Sequence, residues 1–216
     1  MNVMRFASGY LVLGQWGGAP VRAHWTIPFG AFVFGHLQFV PGFWLGFFLL
    51  ILIHELGHAI VVRSQRCRVI SIDVHGLGGL CQWSGSATPI GRARIAWGGV
   101  QAQLLALLFT LVLVEMFGRP TAFSAQLVSA FTDTNVILIL INLIPVPPLD
   151  GAEAWKLPGL LWRRGRRQAQ QRRRTALERE LADVDAADRE PIRPEARAAV
   201  DDLFRKINEE KARERN

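Results

Sequence analysis

The sequence has little sulfur: two cysteines, Cys67 and Cys81, in 216 residues. They lack CxxC spacing, so neither a disulfide framework nor a zinc knuckle is supported, and two free thiols are expected. A compact apolar h-region is missing too. Residues 1–20 are glycine-rich, and no cleavable signal peptide is expected. There is no internal repeat. Acidic residues are sparse in the first part of the chain, with 6 Asp/Glu against 9 Lys/Arg up to Trp162. From Arg163 onward the numbers are 12 and 16. Residues 1–162 therefore read as an integral membrane domain and residues 163–216 as a charged, water-exposed helical tail. The net charge of +7 does not indicate nucleic acid, because the basic residues flank apolar spans, as they do in oriented membrane proteins.

What is present is organised around Ile51-Leu52-Ile53-His54-Glu55-Leu56-Gly57-His58-Ala59-Ile60-Val61-Val62. At roughly 100° per residue, His54 and His58 lie about 40° apart on one helix face, close enough to share a metal ion. Glu55 is about 60° further round, able to reach a water on that metal without being a ligand. This is the HExxH arrangement of two ligands and a general base. A charged group at mid-membrane is unfavourable by about 2.5–3.5 kcal/mol, so three ionisable groups in an apolar helix need partners or a task.

The expected fold class is a polytopic α-helical membrane protein with about four spans, a small β-hairpin or sheet element on the cytoplasmic side, and a cytoplasmic helical tail. Short strands are expected at 10–13 and 21–24, on either side of a Gly-Pro turn cluster. Spans are expected at 25–40, 43–62, 95–117 and 127–144. The first is weakened by Pro28, Gly30 and Gly35. Arg63, Arg66 and Arg68 put the Val62 end in the cytoplasm. Residues 67–88 alternate as a hairpin whose edge could pair with an extended peptide. The third span opens with Trp97-Gly98-Gly99-Val100-Gln101-Ala102-Gln103, where small residues permit close helix packing. In the tail, 166–187 and 195–215 favour helix. Val200, Leu203, Phe204 and Ile207 suggest a small packing contact. The arginine runs from Arg163 read as a stop-transfer flank, with a grip on anionic headgroups as the alternative.

The fourth span stops at Asn142-Leu143-Ile144-Pro145-Val146-Pro147-Pro148-Leu149-Asp150-Gly151. Three prolines in four residues cannot continue a helix. Irregular backbone at membrane depth belongs where it lines a cavity. Asp150 then completes two imidazoles, one carboxylate and a water around zinc. A short helix is expected at 151–161. His24, His36 and His75 have no partner at ligand spacing. His36 is expected to pack within its span, and the other two to be interfacial or structural.

These motifs, with the glycine-led third span and Gly17-Gly18-Ala19-Pro20-Val21-Arg22-Ala23-His24-Trp25, resemble the site-2 protease family of intramembrane zinc metalloproteases, in its compact prokaryotic branch. The resemblance covers about residues 10–160. It implies one zinc held by His54, His58 and Asp150, Glu55 as the catalytic carboxylate, and cleavage of single-span membrane proteins in a prokaryotic cell membrane. Many members have Gly-Pro-x-x-Asn where this chain has Gly99-Val100-Gln101-Ala102-Gln103. Gln103 keeps the amide but changes its reach, as a candidate for holding substrate. Asn142 is a second candidate, with helix capping as the plain alternative. Two other functions compete: a catalytically silent relative that binds membrane partners, and a metal transporter. The complete set of His54, Glu55, His58 and Asp150 speaks against the first. The single ligand cluster speaks against the second. The sequence does not fix the substrate or the oligomeric state.

Overall fold

The computed structural model describes residues 6–7, 9–118, 121–189 and 193–213. The chain forms two compact units, Met1–Trp162 and Arg163–Asn216. All six candidate site residues belong to the first.

That unit opens with strands β1 (Phe6–Ala7), β2 (Tyr10–Trp16) and β3 (Ala19–His24). Gly17 and Gly18 make the β2–β3 turn at φ of 57° and 87°, where a side chain would be strained. Helix α1 (Ile27–Phe34) follows. Here the structure corrects the expectation of a span at 25–40. Eight residues rise only about 12 Å, against roughly 30 Å of hydrocarbon. After Gly35 the chain turns at His36 and Leu37, both at positive φ, so an apolar stretch is used without being one helix. His36, expected to pack inside a span, is exposed on that turn.

Helix α2 (Pro41–Ser64) is the hub. Phe43, Phe47 and Ile51 pack with Ala31, Val74 and Ala130 on one side. Ala59 and Val62 pack with the sheet residues Val21 and Ile72 nearer its end. Helix α3 (Pro89–Phe117) starts at an N-cap where Thr88 Oγ1 accepts from Gly91 N at 3.0 Å. The α2–α3 contact is made by small residues: a side chain at Gly98 would strike the carbonyl oxygen of Gly57. The far half of α3 exposes Leu104, Leu105, Leu108 and Phe109, which suits contact with lipid chains. The third long segment is α4 (Ala122–Ser129), a π-helical turn at Ala130–Thr134, and α5 (Asn135–Asn142). Among the described residues, three helical segments are long and apolar enough to cross a membrane: Pro41–Ser64, Pro89–Phe117 and Ala122–Asn142.

Strands β4 (Arg68–His75) and β5 (Gly78–Ser84) form the expected hairpin. They also join the N-terminal strands in one sheet of order β1-β2-β3-β4-β5. The β3–β4 pairing is parallel, with Val21 opposite Ile72 and Ala23 opposite Val74. Arg22 reaches across it to the fully buried Asp73, Nε to Oδ1 at 2.5 Å and Nη2 to Oδ2 at 2.6 Å. Ser71 Oγ donates to the same carboxylate at 3.0 Å. Next to this pair, the rings of Tyr10, His24 and His75 cluster with centroids 4.8–5.5 Å apart, tilted or edge-on to one another. Burial, and then the neighbouring His24, lower the pKa of His75. It is thus a neutral structural ring.

The proline-broken segment ends in α6 (Gly151–Ala154), and α7 (Lys156–Arg189) follows. Two indoles hold the break. Trp97 Nε1 donates to Ala154 O at 2.9 Å, and Trp155 Nε1 to Leu143 O at 2.7 Å. In the second unit α7 continues and α8 runs over Pro194–Arg213. Residues 214–215, which the sequence reading included in this helix, lie outside the described residues. Both helices carry surface ion pairs, such as Arg174–Glu178 at 2.8 Å. Val200, Leu203, Phe204 and Ile207, expected to make a small packing contact, are all exposed among the described residues.

Candidate metal centre

His54 and His58 are one helical turn apart on the buried face of α2. Their Nε2 atoms are 2.9 Å apart. Asp150, at the end of the proline-broken segment, places Oδ2 3.0 Å from His54 Nε2 and 3.1 Å from His58 Nε2. The geometric condition set by the sequence, that the two ends of the motif pair meet, is fulfilled.

The other ring nitrogens determine what this cluster can do. His54 Nδ1 donates to Gln103 Oε1 at 2.9 Å, and His58 Nδ1 donates to the Ile95 carbonyl at 2.7 Å. Both acceptors lack a hydrogen to give, so each imidazole carries its proton on Nδ1. Each Nε2 is then a lone pair. Two such nitrogens face a carboxylate oxygen that is itself buried without a hydrogen-bond partner. Three electron-rich atoms converge with no proton between them. An unsatisfied buried polar group of this kind is unfavourable by about 1–3 kcal/mol, more when charged. A cation removes that penalty. The N, N, O set suits zinc, and edges of 2.9–3.1 Å approach the roughly 3.3 Å of a tetrahedron with zinc–nitrogen bonds of about 2.0–2.1 Å. Space is kept by Gly99, where a Cβ would stand 2.5 Å from the Nε2 of both histidines.

Glu55, next in sequence to His54, is 3% exposed. Its carboxylate accepts a hydrogen bond from the main-chain N–H of Cys81 on β5. A side chain at Gly79, two residues earlier on the same strand, would overlap the Glu55 carboxylate. The outer edge of β5 thus lies directly over this group. Burial, and then the charge of Glu55, push the Cys81 thiol up to about 12. The whole cluster opens into a cavity of about 550 Å³. Its walls include Leu77 to Cys81 and Trp83 of the hairpin, Ile141 and Asn142 of α5, and Pro148 to Asp150 of the break.

Asn142 lines this cavity at the end of α5, and its side chain makes no hydrogen bond to another described residue. Gln103, the other candidate for holding substrate, also lines this cavity. It is 1% exposed and its oxygen is taken by His54. The longer side chain spans the gap between α3 and α2, so its acceptor is used inside the protein. Sequence reasoning missed the Cys81 main chain, Ile95 O, Asn135, Trp97 and Trp155 as supports of the site. Most act through the main chain, or from a helix whose rotation the sequence does not fix. Only Trp97, beside the glycine pair, carried a local signal.

No family model matches the chain. Among curated proteins it is 31% identical over 173 residues to "Putative zinc metalloprotease Rip3" of Mycobacterium tuberculosis, a match covering 70% of this chain and 44% of that protein. It is 31% identical over 116 residues to "Putative zinc metalloprotease sll0528" of Synechocystis sp., covering 53% of this chain and 30% of that protein. The chain therefore spans less than half the length of these curated relatives. Among solved structures, the fold is similar to that of the site-2 protease from Methanocaldococcus jannaschii. The TM-score is 0.52 with 21% identity, over 68% of this chain and 70% of that one. With three apolar helices long enough to cross a membrane, the chain is a membrane protein. Together with the meeting of His54, His58 and Asp150 beside Glu55, these likenesses lead to one conclusion: the chain has the site-2 protease fold and is similar to zinc metalloproteases.

Proposed function

We propose that this chain is an intramembrane zinc metalloprotease that hydrolyses peptide bonds within or near the membrane-spanning segment of single-span proteins, as a step of regulated intramembrane proteolysis. The observation that carries the reading is the convergence of three proton-free donor atoms beside a buried carboxylate. His54 Nε2, His58 Nε2 and Asp150 Oδ2 would hold the zinc. Zinc supplies Lewis acidity there, which lowers the pKa of water from about 15.7 to about 7.

The remaining chemistry belongs to the chain. Gln103 and Ile95 fix the tautomer and the rotation of the two rings. The Cys81 amide steadies Glu55. Glu55 takes the proton of the attacking water and delivers it to the leaving amine. Asn142, with its amide unengaged, holds the substrate main chain near the break. A substrate helix must unwind first, because its own side chains and hydrogen bonds shield each peptide bond. The edge of β5 then receives the extended segment as an added strand, over Glu55. Arg63, Arg66, Arg68, Arg92 and Arg94 all flank the hairpin end of α2 and α3. The positive-inside rule then puts that end, with the hairpin and the tail, in the cytoplasm of a prokaryotic cell with this chain in its inner membrane.

The test is cleavage of a single-span protein by the full chain in detergent with zinc, read by mass spectrometry. The parent is expected to cleave, and Glu55→Gln to bind zinc without cleaving. Equal processing by both proteins sinks the reading. Zinc flux across vesicles without proteolysis indicates a transporter instead.

A further inference from the structure

We propose that Asn135 is a positioning residue for the metal centre, acting through Gln103 from outside the cavity. The inference rests on the zinc site proposed above. Asn135 is fully buried at the junction of the π-helical turn and α5. Its side-chain hydrogen bonds go to Gln103 and Phe131, not to either histidine.

The π turn gives the side chain its role. The main-chain N–H of Asn135 bonds to Ala130 O, five residues back, instead of to Phe131 O. The Phe131 carbonyl is thereby released from its α-helical partner. Asn135 Nδ2 donates to it at 3.2 Å. The second hydrogen of the same amide crosses to α3 and meets Gln103 O at 2.9 Å. Gln103 is the residue whose side chain accepts from His54 Nδ1. The amide therefore ties the widened turn to the one point of α3 from which the His54 ring is oriented. A slide of α3 along its axis at this point would withdraw Oε1 from the ring.

A second observation sets Asn135 apart from a packing residue. Its Oδ1 is buried with no hydrogen-bond partner. A residue kept for packing alone has no use for a polar oxygen there, since an unpaired buried acceptor is unfavourable. The retained amide spends both its hydrogens on alignment. π turns interrupt helices mostly at functional sites, and this one presents its freed carbonyl to that amide.

The test uses the full chain in detergent. Zinc affinity is measured by competition with a chromophoric chelator, and cobalt(II) absorption reports ligand geometry. The parent is measured first. If it binds no zinc, the metalloprotease reading falls before any variant is compared. With a zinc-binding parent, Asn135→Leu and Asn135→Ala are expected to bind zinc more weakly by about 10-fold or more, as changes behind a ligand do. The cobalt spectrum shifts, while both variants stay folded, with a midpoint lowered by the two hydrogen bonds lost. Added to Gln103→Met, Asn135→Leu has no further effect on affinity, because both act on one path. Three results overturn the proposal: affinity within about twofold of the parent in a folded Asn135 variant, multiplying effects in the double variant, or failure of both Asn135 variants to fold.

Discussion

Gln103 Oε1 accepts from His54 Nδ1 at 2.9 Å, across the contact between α2 and α3. The bond settles which nitrogen of His54 faces Asp150. Replacing Gln103 by Glu keeps an acceptor at the same reach, and a carboxylate is the commonest partner of a metal-bound histidine. Gln103→Glu is therefore expected to hold zinc at least as tightly as the parent. Gln103→Met, which has no acceptor of comparable strength, loses about 10–100-fold in affinity. Chelator competition on the two proteins measures the difference.

Gly98 and Gly99 are neighbours with separable roles. A methyl at Gly99 stands 2.5 Å from both ligand nitrogens, so Gly99→Ala is expected to empty the site while leaving the helices formed. A methyl at Gly98 presses on the Gly57 carbonyl at 2.7 Å, so Gly98→Ala loosens the α2–α3 contact. The stability loss for such overpacking is about 1–3 kcal/mol. Metal content after desalting separates the first outcome. Thermal unfolding followed by circular dichroism separates the second.

Arg22→Ala strips the partner from Asp73, which is fully buried in β4. Two neutral side chains then remain to donate to that carboxylate, Ser71 at 3.0 Å and Gln82 at 3.5 Å. Breaking a buried pair in this way costs about 3–5 kcal/mol. The thermal midpoint is expected to drop sharply, and Arg22→Ala/Asp73→Leu to recover much of it, since both charges are then gone.

Cys81 provides a pH-dependent readout of the hairpin's seat over the site. Its thiol titrates near 12, so the neutral form dominates at pH 8 and the thiolate fraction is on the order of 10⁻⁴. Alkylation by iodoacetamide should be slow at pH 8 and rise about tenfold per pH unit until the pH nears 12. Glu55→Gln removes the nearby negative charge. That variant is expected to react faster at pH 8, yet still below an exposed cysteine, because burial is the larger cause.

The local pattern carried a good part of this architecture. His54 and His58 share a helix face by their spacing alone, and Pro145, Pro147 and Pro148 show where the fourth expected span breaks. The β4–β5 hairpin was legible from alternation around Gly76-Leu77-Gly78-Gly79. The failures come from long-range geometry. The apolar stretch 25–40 has the composition of a span, but the chain turns at His36 and Leu37 at positive φ, which composition does not report. The parallel β3–β4 pairing joins strands separated by two helices, and no local pattern reports it. The bond from His54 to Gln103 was not legible either, because the rotation of α3 relative to α2 is a packing outcome. The π turn before Asn135 has no signature in its residues, Ala130-Phe131-Thr132-Asp133-Thr134.

Trp97 and Trp155 meet edge to face at 5.7 Å, each with its indole N–H on a carbonyl of the segment that bears Asp150. That arrangement makes the break optically self-reporting. Any occupant that draws on Asp150 changes the polarity and ring contact felt by two of the seven indoles, and the intrinsic emission of the unlabelled protein records it.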